Sequence, residues 1–225
     1  MRILVTGGTG LLGSELKKIL DAKYLGQEDF DIRDEDETYR FISQYDPDLV
    51  LHLAADTRIT DLNKQRSYDI NVMGTRNVAK ACPRMVYLST EYVFDGTKGD
   101  YTEEDYPNPL QFYGFTKLLG EYECQWCPEY VILRTVFKPR PYKHDKVPFG
   151  MKTSGDYVDV IAPMIKKVIL EFTRCPKILN IGTGIKNLKD LALQTREVGD
   201  IDINSLPVKL PLDASLNLTK WKKLN

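Results

Sequence analysis

Tyr113 and Lys117 stand four residues apart in the stretch Tyr-Gly-Phe-Thr-Lys. Residues i and i+4 share a helix face, so a helix over 113–127 would put a phenol beside an amine. A tyrosine alone is a weak acid with a pKa of about 10. A neighbouring ammonium favours its ionised form and lowers that pKa, which makes the pair a proton donor usable near neutral pH. A plain amphipathic surface helix offers the same spacing, so the residues upstream must decide. Gly7-Gly8-Thr9-Gly10-Leu11-Leu12-Gly13 follows directly on the apolar run 2–6. Leu11, Leu12, Leu16, Ile19 and Leu20 then recur at helical spacing. This is strand, glycine turn, helix. Both the Gly8/Gly10/Gly13 and the Gly7/Gly10/Gly13 frames fit. In either, glycines permit the tight turn and let backbone N–H groups approach a pyrophosphate at the positive end of the helix. Its place between a strand and a helix makes this a strong signal. Ser89 and Thr90 end another apolar run, and hydroxyls at the carboxyl end of a parallel strand face the crevice where α/β folds bind ligands.

The elements that must position these groups can be traced in order. Residues 23–26 form a short strand, with Gln27 and Glu28 near the place where a dinucleotide fold carries an acid for the ribose 2′-hydroxyl. Gln27 leaves NAD and NADP both open, and no arginine stands there to grip a 2′-phosphate. Asp34 caps a helix over 35–44, with Glu37 as its capping-box partner. Residues 49–53 are a buried strand ending in Ala54-Ala55, small enough for a flat cofactor to pass. His52 reads as a core histidine. Residues 63–81 read as one long helix on which Asn71 and Thr75 are four apart. Buried polar groups need partners, which for Asn71 means neighbouring backbone or a catalytic water. Strands follow at 84–88 and 130–134, with the Tyr113 helix between them. Five β-α repeats mean a parallel, doubly wound sheet. Residues 137–153 are basic, proline-bearing and aperiodic. A helix over 157–173, a strand over 177–181, a helix over 188–198 and a tail with a short helix from Leu218 complete the chain. This second part is too small to stand alone and reads as a cap on the crevice.

The chain has 225 residues, 42% of them hydrophobic and 28% charged, which suits an ordinary globular protein. Its 31 basic and 32 acidic residues give a net charge of −1, so no basic excess exists to drive nucleic-acid binding. No apolar run approaches the ~20 residues of a membrane span. The amino-terminal run is too short for a signal peptide, and the cytoplasm is the expected location. Cys124 and Cys127 have metal or redox spacing, but no second ligand pair accompanies them and there are only two histidines. They read as reduced thiols, and no metal site is expected.

The glycine turn at residue 7, Leu53-Ala54-Ala55, Ser89-Thr90 and Tyr113-x-x-x-Lys117, in this order, resemble the extended short-chain dehydrogenase/reductase superfamily over nearly the whole chain. Within it, Ser-Thr-Glu-Tyr-Val-Phe-Asp-Gly at 89–96, the stretch 182–192 and the tail 210–221 look like the dTDP-4-dehydrorhamnose reductase family. The resemblance implies a Rossmann-type α/β fold with helices on both faces of the sheet. It would comprise an NAD(P)-binding core over 1–135 and, over 136–225, a region that completes the sheet and forms a small substrate-binding cap. It implies an NAD(P)H-dependent reductase of the C4 ketone of a 4-keto-6-deoxy nucleotide sugar, and brings with it the homodimer common in the superfamily. Tyr113 would be the proton donor. Lys117 would hold the nicotinamide ribose and lower the Tyr113 pKa. Thr90, with Ser89 beside it, would hydrogen-bond the ketone oxygen. Gly7, Gly10 and Gly13 would carry the pyrophosphate. Asp31, Ile32, Ala54 and Ala55 would line the cofactor cleft, and Leu11, Leu12, Leu53 and Asn71 complete the implied cofactor set.

Two departures accompany the likeness. Glu91 stands where such reductases usually carry Asp, and the chain is short between Arg134 and Asp156, where members have a helix over the nucleotide sugar. A nucleotide-sugar epimerase or dehydratase with tightly held NAD is a second enzyme class to weigh, although Tyr92 follows Glu91 where dehydratases want a second acid. A non-catalytic, cofactor-binding regulatory subunit is the third class, and the short cap suits it.

Overall fold

Successive residues of the central strands point to opposite faces of one sheet. Ile3 and Val5 pack in one apolar cluster and Leu4 in the other. Leu49 and Leu51 divide from Val50 in the same way, and Val131 and Leu133 from Ile132. Both faces are covered, which is why these strands read as unbroken apolar runs rather than alternating ones.

The computed structural model describes residues 1–59 and 63–224. Its first half holds β1 (Ile3–Thr6), α1 (Leu11–Leu16), β2 (Lys23–Leu25), α2 (Glu35–Tyr45), β3 (Leu49–His52), α3 (Lys64–Tyr68), α4 (Thr75–Ala81) and β4 (Arg84–Thr90). Then come α5 (Phe112–Glu123), β5 (Glu129–Thr135), β6 (Phe137–Lys138), β7 (Lys146–Pro148), β8 (Lys152–Thr153) and β9 (Asp156–Tyr157). The remainder holds α6 (Val158–Leu170), β10 (Ile178–Asn180), β11 (Lys186–Asn187), α7 (Leu188–Leu193), β12 (Gly199–Ile201) and α8 (Thr219–Lys222). The main sheet runs β10-β5-β4-β3-β1-β2, parallel at every pairing. The chain turns to opposite sides of β1, to β2 first and then to β3. That switch point opens a crevice at the strands' carboxyl ends.

Several local expectations needed correction. The helix over 63–81 is three pieces, because a π segment at Asp69–Gly74 separates α3 from α4. The wider turn carries Asn71 inward. Its Oδ1 accepts from the Asp56 N–H at 2.7 Å, and its Nδ2 donates to the Asp56 carbonyl and the Thr116 hydroxyl, each at 2.9 Å. The residue is a brace between the loop after β3 and α5. Asp34 does cap α2, accepting from the Glu37 N–H at 2.9 Å. The Glu37 carboxylate, however, accepts from the Asp31 N–H at 3.1 Å instead of completing a capping box. The helix at 188 ends at Leu193, five residues early. Within 137–153, three short strands occur despite the lack of periodicity.

The last strand of the main sheet, β10, comes from the second part of the chain. The tail is stitched back to the loop after β4: Tyr101 N–H donates to the Ser215 carbonyl at 2.8 Å, and Asn217 N–H to the Tyr101 carbonyl at 2.7 Å. A small separate core, with Tyr142, Val147, Met151, Tyr157, Leu188 and Leu191, lies under the short strands.

Candidate active site

One cavity of about 630 Å3 runs from the turn after β1 to β6. Gly7, at its start, has φ +68°, and a Cβ there would lie 2.6 Å from the Ala54 amide nitrogen. Only glycine lets the turn pass so close to the end of β3. No side chain caps α1 at Gly10. The first-turn N–H groups, which have no partner inside a helix, are thereby left to an oxyanion. Gly7, Gly10, Leu11, Leu12, Gly13, Asp31, Ile32, Leu53, Ala54 and Ala55 all line this cavity, and Gln27 does too. Asn71 does not line it and is fully buried. Arg33 also lines it, contrary to the expectation of no arginine there; its guanidinium is ion-paired with Asp31.

At the other end, Ser89, Thr90, Tyr113 and Lys117 line the same space. Tyr113 is the second residue of α5, and Lys117 lies one helical turn on. The helix sits flush on β4 at Gly120, where a Cβ would lie 2.2 Å from the Tyr87 hydroxyl oxygen. Lys117 is 3% exposed and holds its ammonium 4.1 Å from the centre of the Tyr87 ring. Burial pushes its pKa down to about 7, against the pull of Cys124 and Glu121. Burial pushes the Tyr113 phenol up to about 12, with a Thr90 side-chain hydrogen bond acting the other way. The expected lowering of the Tyr113 pKa by Lys117 is therefore reversed. Desolvation outweighs the Thr90 hydrogen bond, Lys117 is not among the groups that move this pKa, and the phenol stays protonated at neutral pH.

Ser89 also departs from its expected place at a ketone. Its hydroxyl donates to Glu121 Oε1 at 2.5 Å. Glu121 in turn takes two bonds from Arg134, at 2.9 and 2.7 Å, in a pair that is almost wholly buried. Glu121 extends the ladder Tyr113, Lys117, Glu121, four residues per step along α5. That spacing could have revealed it. Thr90 caps the turn Glu91–Val93, its Oγ1 accepting from Tyr92 N–H at 3.2 Å.

Glu91 is 1% exposed, and burial raises its pKa to about 7. The Thr153 hydroxyl lies 3.1 Å from one of its oxygens and 3.2 Å from the other. His52 is a core residue, as its place in an apolar run suggests. It contacts the hydroxyls of Thr6 at 2.7 Å and Thr75 at 3.1 Å, and burial drives its pKa down to about 3. The four cysteines are free thiols; the Cys82 and Cys127 sulfurs lie 3.8 Å apart. Among the described residues, no helix is long and apolar enough to cross a membrane.

Residues 1–147 match the model of the family described as the RmlD substrate binding domain. The methionine adenosyltransferase 2 subunit beta of Danio rerio is 35% identical over 150 residues, 59% of this chain and 46% of that protein. A dTDP-4-dehydrorhamnose reductase of Aggregatibacter actinomycetemcomitans is 32% identical over 180 residues, 73% of this chain and 61% of that protein. The chain thus spans about half the length of the curated relatives it matches. A solved structure from Sulfolobus tokodaii, described as a hypothetical dTDP-4-dehydrorhamnose reductase, superposes with a TM-score of 0.86 at 28% identity. It covers 100% of this chain and 95% of that one.

Proposed function

The chain belongs to the RmlD substrate binding domain family, and from that premise we propose that it is an NAD(P)H-dependent reductase of the C4 ketone of a 4-keto-6-deoxy nucleotide sugar. One observation supports this above the rest: Thr90, Tyr113 and Lys117 meet at one end of a cavity whose other end is the Gly7 turn. A nicotinamide cofactor fits the residues present, since the uncapped start of α1 and the close Gly7–Ala54 passage make a cradle for a pyrophosphate. When bound in reduced form it supplies the hydride. The remaining work falls to the chain. Negative charge builds on the ketone oxygen as its carbon is reduced. Tyr113, protonated up to about pH 12, gives that oxygen its proton. The Thr90 hydroxyl aligns it. Lys117 holds the ribose hydroxyls, and its protonated form, which prevails below about pH 7, places positive charge beside the phenolate left behind. Residues 1–135 act as the cofactor-binding core, and 136–225 close the substrate end.

Incubation with NADH and NADPH in parallel, over a panel of dTDP- and UDP-linked 4-keto-6-deoxy sugars, tests the proposal. Steady loss of reduced-cofactor absorbance is expected with at least one substrate. No turnover across the panel would overturn it.

A second function has the 35% identity to a methionine adenosyltransferase subunit in its favour. Here the chain would bind the cofactor without catalysis and regulate a partner enzyme. Stoichiometric capture of such an enzyme, with no reductase activity in the chain alone, would replace the first proposal with this one.

A further inference from the structure

Lys138 stands on β6 and lines the cavity together with Thr90, Tyr113 and Lys117. Lining residues from β4 onward include two lysines and no carboxylate. The ammonium of Lys117 is held over the Tyr87 ring. That of Lys138 has no hydrogen bond and no ion pair among the described residues. Of the other charges that line the cavity, Arg33 is paired with Asp31 and Asp56 with Arg58, while Arg66, on α3 rather than on the β4–β6 side, has no ion pair among the described residues. The acid that acts on Lys138 is Glu91, which is buried, does not line the cavity and is bonded to Thr153. Burial lowers the Lys138 pKa, with Glu91 pulling it back up. Lys138 is half-buried, and a partly desolvated cation without a counter-charge in contact retains a demand for an acceptor.

We propose that Lys138 is a specificity residue whose ammonium receives an oxyanion, a phosphate or carboxylate group, carried by the substrate that presents its carbonyl to Tyr113. This deepens the reductase function proposed above and rests on it. A nucleoside diphosphate moiety or the carboxylate of a sugar acid would each supply the oxyanion, and a test with paired probes separates them.

The full chain, with and without NADPH, is titrated calorimetrically with dTDP against thymidine and with galacturonate against galactose. Wild type, Lys138→Met and Lys138→Arg are compared. A charge-assisted hydrogen bond at this position predicts that one charged probe binds about tenfold or more tighter than its neutral counterpart in the wild type. Lys138→Met should abolish that preference, and Lys138→Arg should keep most of it. Preference for dTDP identifies the diphosphate as the source, and preference for galacturonate the carboxylate. Equal binding of charged and neutral probes by the wild type would overturn the proposal, as would a preference that survives in Lys138→Met. NADPH binding is measured separately. Its failure alongside a Lys138-dependent preference would remove the reductase function and leave the anion site standing.

Discussion

The ammonium of Lys117 lies 4.1 Å from the centre of the Tyr87 ring, inside the sheet–helix interface rather than out in solvent. The contact offsets part of the cost of burying a charge. The rest of that cost appears as a pKa of about 7 against an ordinary 10.5. Between these values the unfolded chain binds the proton and the folded chain does not, so stability rises with pH across that window. Lys117→Met removes the burden. We expect it to raise the Tm of protein without added cofactor most at or below pH 7, with the gain fading towards pH 10.5. The upper limit is about 5 kcal/mol. Thermal melts at pH 6 and pH 9.5 check this; an equal shift at both would contradict it. Activity should be lost at every pH.

Glu91 gives the opposite slope. Its pKa rises from 4.5 to about 7 on folding. The folded chain therefore holds a proton that the unfolded chain has released, and stability falls as pH rises between those values. Glu91→Gln keeps an acceptor for Thr153 and removes the charge. The variant should be more stable than wild type at pH 8, by at most about 3 kcal/mol, and nearly equal to it at pH 4.5. Melts at the two pH values decide the matter; a gain that does not depend on pH would count against a charged Glu91.

Ser89 and Thr90 are neighbours with different work. Ser89 serves the buried Glu121–Arg134 pair. Ser89→Ala should cost about 1–3 kcal/mol of stability and leave kcat within about threefold of wild type. In the proposed reductase, Thr90→Val removes the hydroxyl assigned to align the ketone, and kcat should fall about 100-fold. Chemical denaturation and steady-state kinetics on the two variants provide the check. Equal kinetic losses would place Ser89 back at the ketone.

Much of the site was legible because its signals are local. The Gly7 turn, the Ala54-Ala55 strand end and the Tyr113/Lys117 spacing each sit within a few residues, and all line one cavity. The apolar runs reveal a doubly covered parallel sheet because every central strand is buried on both faces. What escaped depends on distant contacts. A four-residue spacing places Lys117 near Tyr113 but carries nothing about desolvation, which reversed the expected pKa direction. The π segment was invisible because Asn71 turns inward to meet Asp56 and Thr116, which lie 15 and 45 residues away. Arg134 and Lys138 belong to a strand end and an aperiodic stretch, and only the packed fold brings Arg134 onto Glu121 of α5 and Lys138 to the cavity that Tyr113 lines. Glu121 alone had a local signal, as the third rung of the Tyr113 ladder.

The central claim is that Tyr113 protonates a ketone at the end of this cavity. Wild type and Tyr113→Phe are to be compared side by side with a dTDP-linked 4-keto-6-deoxy sugar. Reduced-cofactor oxidation is followed by absorbance, and cofactor binding by fluorescence. Loss of the proton donor predicts a fall in kcat of about 100- to 10,000-fold with cofactor affinity unchanged. Turnover by Tyr113→Phe at the wild-type rate would contradict the account.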